Sequence, residues 1–283
     1  MGSRGRILFF AILCSLSSLV GCTTVGESGR KQLMLIPESR ERQMGEEAWQ
    51  LMERSLQPSP NSKAAELVER VGRRVAIVTG KTDYEWEFRL FESPAVNAFC
   101  LPGGKVAVYT GILGPMESEA GMAVVLGHEC AHATCRHGAE RISEQMAVRT
   151  VGSIVSGAAR QWVPNFQGLI NTGYNFGMTG GIILPFYRAH EEEADHVGLL
   201  YAARAGYDPE EAIRFWERMT EAGKKAGRGH PPAFLSTHPT DEKRIAKLRE
   251  YLPEAQSIYA ASSQQFGRGA PLPLGAPQIA RVE

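Results

Sequence analysis

Residues 126–140 read LGHECAHATCRHGAE, and the two histidines four apart in that stretch, His128 and His132, constrain the fold more than any other feature of the chain. On a helix each residue advances about 100°, so both imidazoles leave from one face, one turn apart. So placed, they reach a single Zn²⁺ at about 2.0–2.1 Å, while Glu129, one step round the helix, can touch a water on that metal. The apolar run 120–126 suits a buried helix with Ser118 as its N-cap. The helical pattern continues past His137 through Val151. This is the layout of a metal-dependent hydrolase holding one zinc per chain.

Two histidines do not hold a catalytic zinc; three protein ligands and an open water position are the usual set. A third histidine six residues after the second is absent, because Gly138 stands there. His137 points about 140° away from His132, which makes it a surface histidine or one that supports a ligand from behind. The dense alternative is RAHEEEAD, 188–195. There Glu191 and Asp195 share a face, so Glu191 can bind the metal while Asp195 accepts the free ring N–H of a ligand histidine. Glu192 and Glu193 are expected in solvent, and His190 is a rival ligand. The bland alternative for the whole run is a solvated acidic helix start.

The chain has 283 residues, 43% hydrophobic, enough for one sizeable core or two small ones. Its 31 basic and 31 acidic side chains argue against nucleic acid as the main partner. Arg4 and Arg6 precede an apolar run from Ile7 to Val20, a secretory signal too short to be a comfortable membrane span. Leu19-Val20-Gly21-Cys22 resembles the bacterial lipobox. That resemblance implies cleavage before Cys22, lipidation of Cys22 and attachment to a membrane through it. Thr23, in place of Asp, favours the outer membrane facing the periplasm; the alternative is the extracytoplasmic face of an inner or sole cell membrane. Cys100, Cys130 and Cys135 are odd in number and are read as small buried thiols.

The expected organisation is a signal peptide at 1–21, a lipidated tether at 22–37, a catalytic domain at 38–255 and a disordered Pro/Gly/Ser-rich tail at 256–283. Helices are expected over Glu38 to Leu56 and Ser62 to Val78, the second closed by Gly80. Tyr84 to Leu90 alternates as a half-buried strand, and Val96 to Leu101 with Lys105 to Tyr109 form a hairpin about Pro102-Gly103-Gly104. Further helices open at Asp208-Pro209 and run from Asp241 to Leu252. The fold class is α+β, mainly α, with a small antiparallel sheet packed on the metal helix. An edge strand there can bind an extended peptide through Asn97, Ala98 and Phe99, or can simply pack the sheet. Residues 161–187 carry no charge, but their Gly, Pro and Asn interruptions oppose a membrane span and suggest a lid-like hairpin near the site.

Together HECAHATCRHGAER, RAHEEEADHVGL, VNAFCLPGGKVAVYTGIL and LSTHPTDEKRI resemble the HtpX-like and BepA-like zinc metallopeptidases, a family that also includes the mitochondrial Oma-type proteases. The resemblance covers about residues 38–252. It implies a zincin-like fold, Glu191 as third zinc ligand, Asp195 behind it, and an endopeptidase of the bacterial cell envelope acting on unfolded or misassembled envelope proteins, with Glu129 as the base. It also brings the last motif near the site. That makes His238 and Arg244 candidate stabilisers of the oxyanion, with His238 alternatively a latch on the open zinc position or a cap of the last helix. The competing class is a chaperone-like or binding lipoprotein of outer-membrane assembly with a latched or weak site. An intramembrane protease of the CAAX type would need spans that the chain lacks. Departures from the family pattern are Gly121, where relatives more often carry Glu, and the cysteines at 130 and 135.

Overall fold

The computed structural model describes residues 22–155, 188–226, 232–239 and 242–274. The expected signal peptide and the expected lid-like hairpin at 161–187 lie outside the described residues. In chain order the elements begin with a hairpin, β1 (Cys22–Thr24) and β2 (Lys31–Leu33), and two helices, α1 (Glu38–Ser55) and α2 (Ser62–Val78). Strands β3 (Glu87–Phe91), β4 (Ala98–Leu101) and β5 (Lys105–Tyr109) follow, then the short α3 (Leu113–Met116) and α4 (Glu119–Thr134), which carries His128 and His132. The remainder is α5 (His137–Val155), α6 (Arg188–Arg204), α7 (Glu211–Ala226), the single-turn α8 (Ala233–Thr237) and α9 (Glu242–Ala261).

The three strands are ordered β3-β5-β4. β4 and β5 are the expected antiparallel hairpin, but β3 runs parallel to β5, with Glu87 opposite Lys105. The sheet is therefore mixed where an antiparallel one was expected: β3 and β5 are separated by β4, so β3 enters in the same direction as β5. Central β5 is buried along its whole length. One face, with Val106, Val108, Phe88 and Leu90, packs in the main core with α2 and α4. The other, with Phe91, Phe99, Ala107 and Tyr109, packs on Trp49 and Met52 of α1. Trp49 meets Phe91 edge to face at 5.9 Å, and a buried ring of that size contributes about 1.5–3 kcal/mol.

α4 is buried throughout, so its orphan N-terminal N–H groups need acceptors within the protein. Ser118 Oγ accepts from Gly121 N–H at 3.2 Å, as an N-cap should. Glu119 and Ala120 donate to the carbonyls of Ala270 and Arg268, both at 3.0 Å. Over 256–274 this corrects the expectation of a disordered tail: α9 continues through Pro253 to Ala261, and residues 262–274 lie across the start of α4, while 275–283 lie outside the described residues. What holds them is main-chain hydrogen bonding together with Leu272 in the main core, Phe266 packed against it and Arg268 paired with Glu211, long-range contacts that composition does not report. A Cβ at Gly121 would stand 2.0 Å from the Met116 carbonyl oxygen, which accounts for glycine there.

Two more expectations change. The helix that carries His128 and His132 does not run through His137; it stops at Thr134, and Arg136 adopts φ 59° before α5 begins. Residues 22–33, expected as a tether, form a hairpin whose Val25 N–H bonds the Arg30 carbonyl at 2.8 Å and whose polar side chains find carboxylates on α5 and α6. α4 and α6 cross at Gly127 and Gly198, where a Cβ on either would stand 2.6 Å from the other helix's backbone. Among the described residues, no helix is long and apolar enough to cross a membrane.

Candidate active site

The crossing of α4 and α6 sets His128, Glu129 and His132 of one helix against Glu191 and Asp195 of the other, all of them buried. His128 Nε2 and His132 Nε2 are 3.0 Å apart. Glu191 presents Oε1 at 3.3 Å from His132 Nε2 and Oε2 at 3.5 Å from His128 Nε2. His238, just past α8, brings Nδ1 to 2.9 Å from Glu191 Oε2 and 3.1 Å from His128 Nε2. With bonds of about 2.0–2.1 Å, the edges of a tetrahedral zinc site are about 3.3–3.4 Å, so this set fits zinc. One acceptor of the set is also left over: buried Glu191 Oε1 has no hydrogen-bond partner, which suits an atom that would meet a cation.

Charge around the set is matched. Burial by itself would hold the His128 imidazole down, but the Asp195 and Glu191 carboxylates outweigh it and raise it to about 9. Burial pushes Glu191 up, and His238 and His132 pull it well below the usual carboxylate range. His132 goes the other way: burial and the neighbouring His128 and His137 hold its imidazole well below the usual range, despite the pull of Glu191, which leaves it neutral as a metal ligand must be. Asp195 Oδ1 lies 3.0 Å from His128 Nδ1, off the line of a good hydrogen bond. On its other side Asp195 receives Arg244 through Nε and Nη2, each at 2.7 Å.

Glu129 is 3% exposed. Burial raises its carboxyl above the ordinary range, against the pull of His238 and His128. His238 Nε2 is 3.3 Å from its Oε1. A raised carboxyl beside a metal position suits a group that takes and returns a proton.

The remaining expected residues fall as follows. Arg244 does not face an open space for an oxyanion: its guanidinium is engaged by Asp195, approaches Glu191 Oε2 at 3.1 Å and lies 3.5 Å over the Trp216 ring. His190 is turned away from the donor set, with Nε2 2.9 Å from Glu140 Oε2. Asn97 stands just before edge strand β4, buried, with both amide atoms lacking a partner. Ala98 and Phe99 lie on β4, Phe99 filling the core beneath α1. Val96 C=O accepts from Phe234 N–H at 2.9 Å, so α8 sits against the approach to that edge. Cys100, Cys130 and Cys135 are free thiols. Glu193, expected in solvent, is buried, because the α6 face opposite Glu191 is covered by the N-terminal hairpin and α5.

A His-x-x-x-His pair on one buried helix, faced by a glutamate from a second and flanked by a small sheet, is the arrangement of the zincin-like class. The Peptidase family M48 profile matches residues 62–252, and the chain belongs to that family. It is 43% identical over 189 residues to the mitochondrial metalloendopeptidase OMA1 of Schizosaccharomyces pombe, covering 67% of this chain and 53% of that one. To the human mitochondrial metalloendopeptidase OMA1 it is 29% identical over 259 residues, 82% of this chain and 46% of that one. To the beta-barrel assembly-enhancing protease of Escherichia coli K12 it is 28% identical over 205 residues, 70% and 41%. The chain spans about half the length of the curated relatives it matches.

Proposed function

We propose that this chain is a zinc-dependent endopeptidase in which His128, His132 and Glu191 hold the metal and Glu129 moves the proton. The observation that carries the reading is the buried donor set with zinc-like spacings beside a carboxyl of raised proton affinity. Zinc, when bound, supplies Lewis acidity to the scissile carbonyl and to the attacking water. Glu129 takes the proton of that water and delivers it to the leaving amine. Asp195 orients the His128 ring, and Arg244 orients Asp195. The β4 edge receives an extended peptide by main-chain pairing, and the unpartnered amide of Asn97 supplies a further donor and acceptor to it.

His238 is read as a latch in this form. Its Nδ1 takes the fourth corner of the donor set, where the water would stand, and its Nε2 faces Glu129. Cleavage of an unfolded model protein, with zinc content measured alongside, tests both assignments. Glu129→Gln should keep about one zinc per chain and lose activity by about 10²-fold or more. His238→Ala should cleave faster than wild type; slower cleavage with zinc retained would return His238 to the oxyanion role, and wild type without zinc would end the ligand reading.

The setting we propose is the bacterial envelope, with Cys22 lipidated and the enzyme held on the outer membrane facing the periplasm, degrading unfolded or misassembled envelope proteins. Support comes from the signal and lipobox-like residues before Cys22, and from the similarity to the E. coli protease whose name ties it to β-barrel assembly. Fatty-acid labelling of cells should mark the wild type and not Cys22→Ser; equal labelling of both would refute the anchor.

A further inference from the structure

We infer that His137, Glu193 and Arg30 form a positioning relay that holds the His132 ring with Nε2 turned to the metal, so that the N-terminal hairpin is part of the working site. The inference rests on the reading of His132 as a ligand. With Nε2 in the donor set, the His132 proton sits on Nδ1 and needs an acceptor. His137 Nδ1 is 2.7 Å away. It can accept only if the His137 proton is on Nε2, and that atom is 2.9 Å from Glu193 Oε2. Glu193 in turn receives Arg30 Nε at 2.6 Å and the Ser28 hydroxyl.

The same guanidinium reaches Glu140 through Nη1 and Nη2 at 2.7 and 2.5 Å. Glu140 also accepts from His190 Nε2, and the His190 ring stacks on His137 with centroids 4.4 Å apart and planes within 7°. The plane of His137 is thus fixed by stacking and its tautomer by Glu193. His137 is fully buried, where an unsatisfied imidazole is costly and an apolar side chain would be simpler. The arrangement has a counterpart across the metal. His128 is backed by Asp195 and then by Arg244 of α9; His132 is backed by His137, Glu193 and then Arg30 of the hairpin. Each ligand histidine ends on a carboxylate pinned by an arginine, and the two arginines come from opposite ends of the chain. Cys135, His137 and Glu193 are also close enough to hold a cation of their own, but Arg30 already places positive charge on Glu193.

The test uses the full chain and reads zinc affinity by competition with a chromophoric chelator, together with the melting temperature of the metal-free protein. His137→Phe removes the acceptor and should weaken zinc binding on the order of 10- to 100-fold. His137→Asn, which keeps an acceptor near the Nδ1 position, should recover most of that loss. Glu193→Gln and Arg30→Met should each weaken zinc several-fold, and Glu193→Gln carries the test if His137→Phe fails to fold. Variants that melt earlier yet bind zinc as wild type does would show a merely structural cluster and overturn the relay, leaving the ligand reading intact. A second zinc per chain, lost in His137→Phe, would overturn it as well. A wild type that binds no zinc would bring down the ligand reading and the relay together.

Discussion

The Arg244 guanidinium lies between the Asp195 carboxylate and the face of Trp216, and it also approaches Glu191. Its removal would leave Asp195 buried with only His128 beside it. Arg244→Met is expected to destabilise the metal-free protein by about 3–5 kcal/mol, as breaking a buried ion pair does, measured as a shift in the urea midpoint. Arg244→Lys should recover only part, because a single ammonium cannot match the two-pronged contact. An Arg244→Met midpoint equal to wild type would refute this account. Residue by residue, spacing was informative where the helical period alone decides: four apart places His128 with His132 and Glu191 with Asp195. It was blind to Arg244 and Glu193, whose directions depend on which element covers the far side of α6.

Among the elements, α1 is tied to the end of α4 by one ion pair. Glu41 Oε2 lies 2.6 Å from Arg136 Nε, and Arg136 also donates to the Ile36 carbonyl, which holds it at positive φ where α4 breaks. Burial pushes the Glu41 carboxyl up to about 7 against the pull of Arg136. A carboxyl raised in the folded state stabilises most below its ordinary value of 4.5, and that contribution is lost as pH rises through 7. The stability of the metal-free protein should therefore carry a falling component between those values, and Glu41→Gln should remove it in melts across that range. An unchanged slope would exclude the assignment. The break at Arg136 was not legible, because neither Gly nor Pro marks it; nor was the parallel entry of β3, which alternation alone does not distinguish from antiparallel. Helices α1, from its run of strong helix formers, and α2, from its apolar spacing and Gly80, were.

Across the whole molecule, the two ends of the described chain close on neighbouring helices around the site. The hairpin of residues 22–33 reaches carboxylates on α5 and α6, and the segment 262–274 supplies carbonyls to the start of α4. Both lie outside residues 62–252, the span matched by the family profile. Both also have polar, small-residue compositions that read as linker or tail, because what orders them is a few long-range hydrogen bonds and single buried anchors, Val25 and Leu272, too sparse to make an apolar pattern. The helices that carry His128, His132 and Glu191 touch through bare backbone at Gly127 and Gly198. A gauge built that way has a single setting. There is no intervening side chain to trim or enlarge by degrees, and the smallest addition, one methyl group, exceeds the tolerance of about ±0.2 Å that a coordination shell allows. Substitution can rework the edge strand, the latch or the ends of the chain gradually, while the bite of the metal site stays as those two glycines leave it.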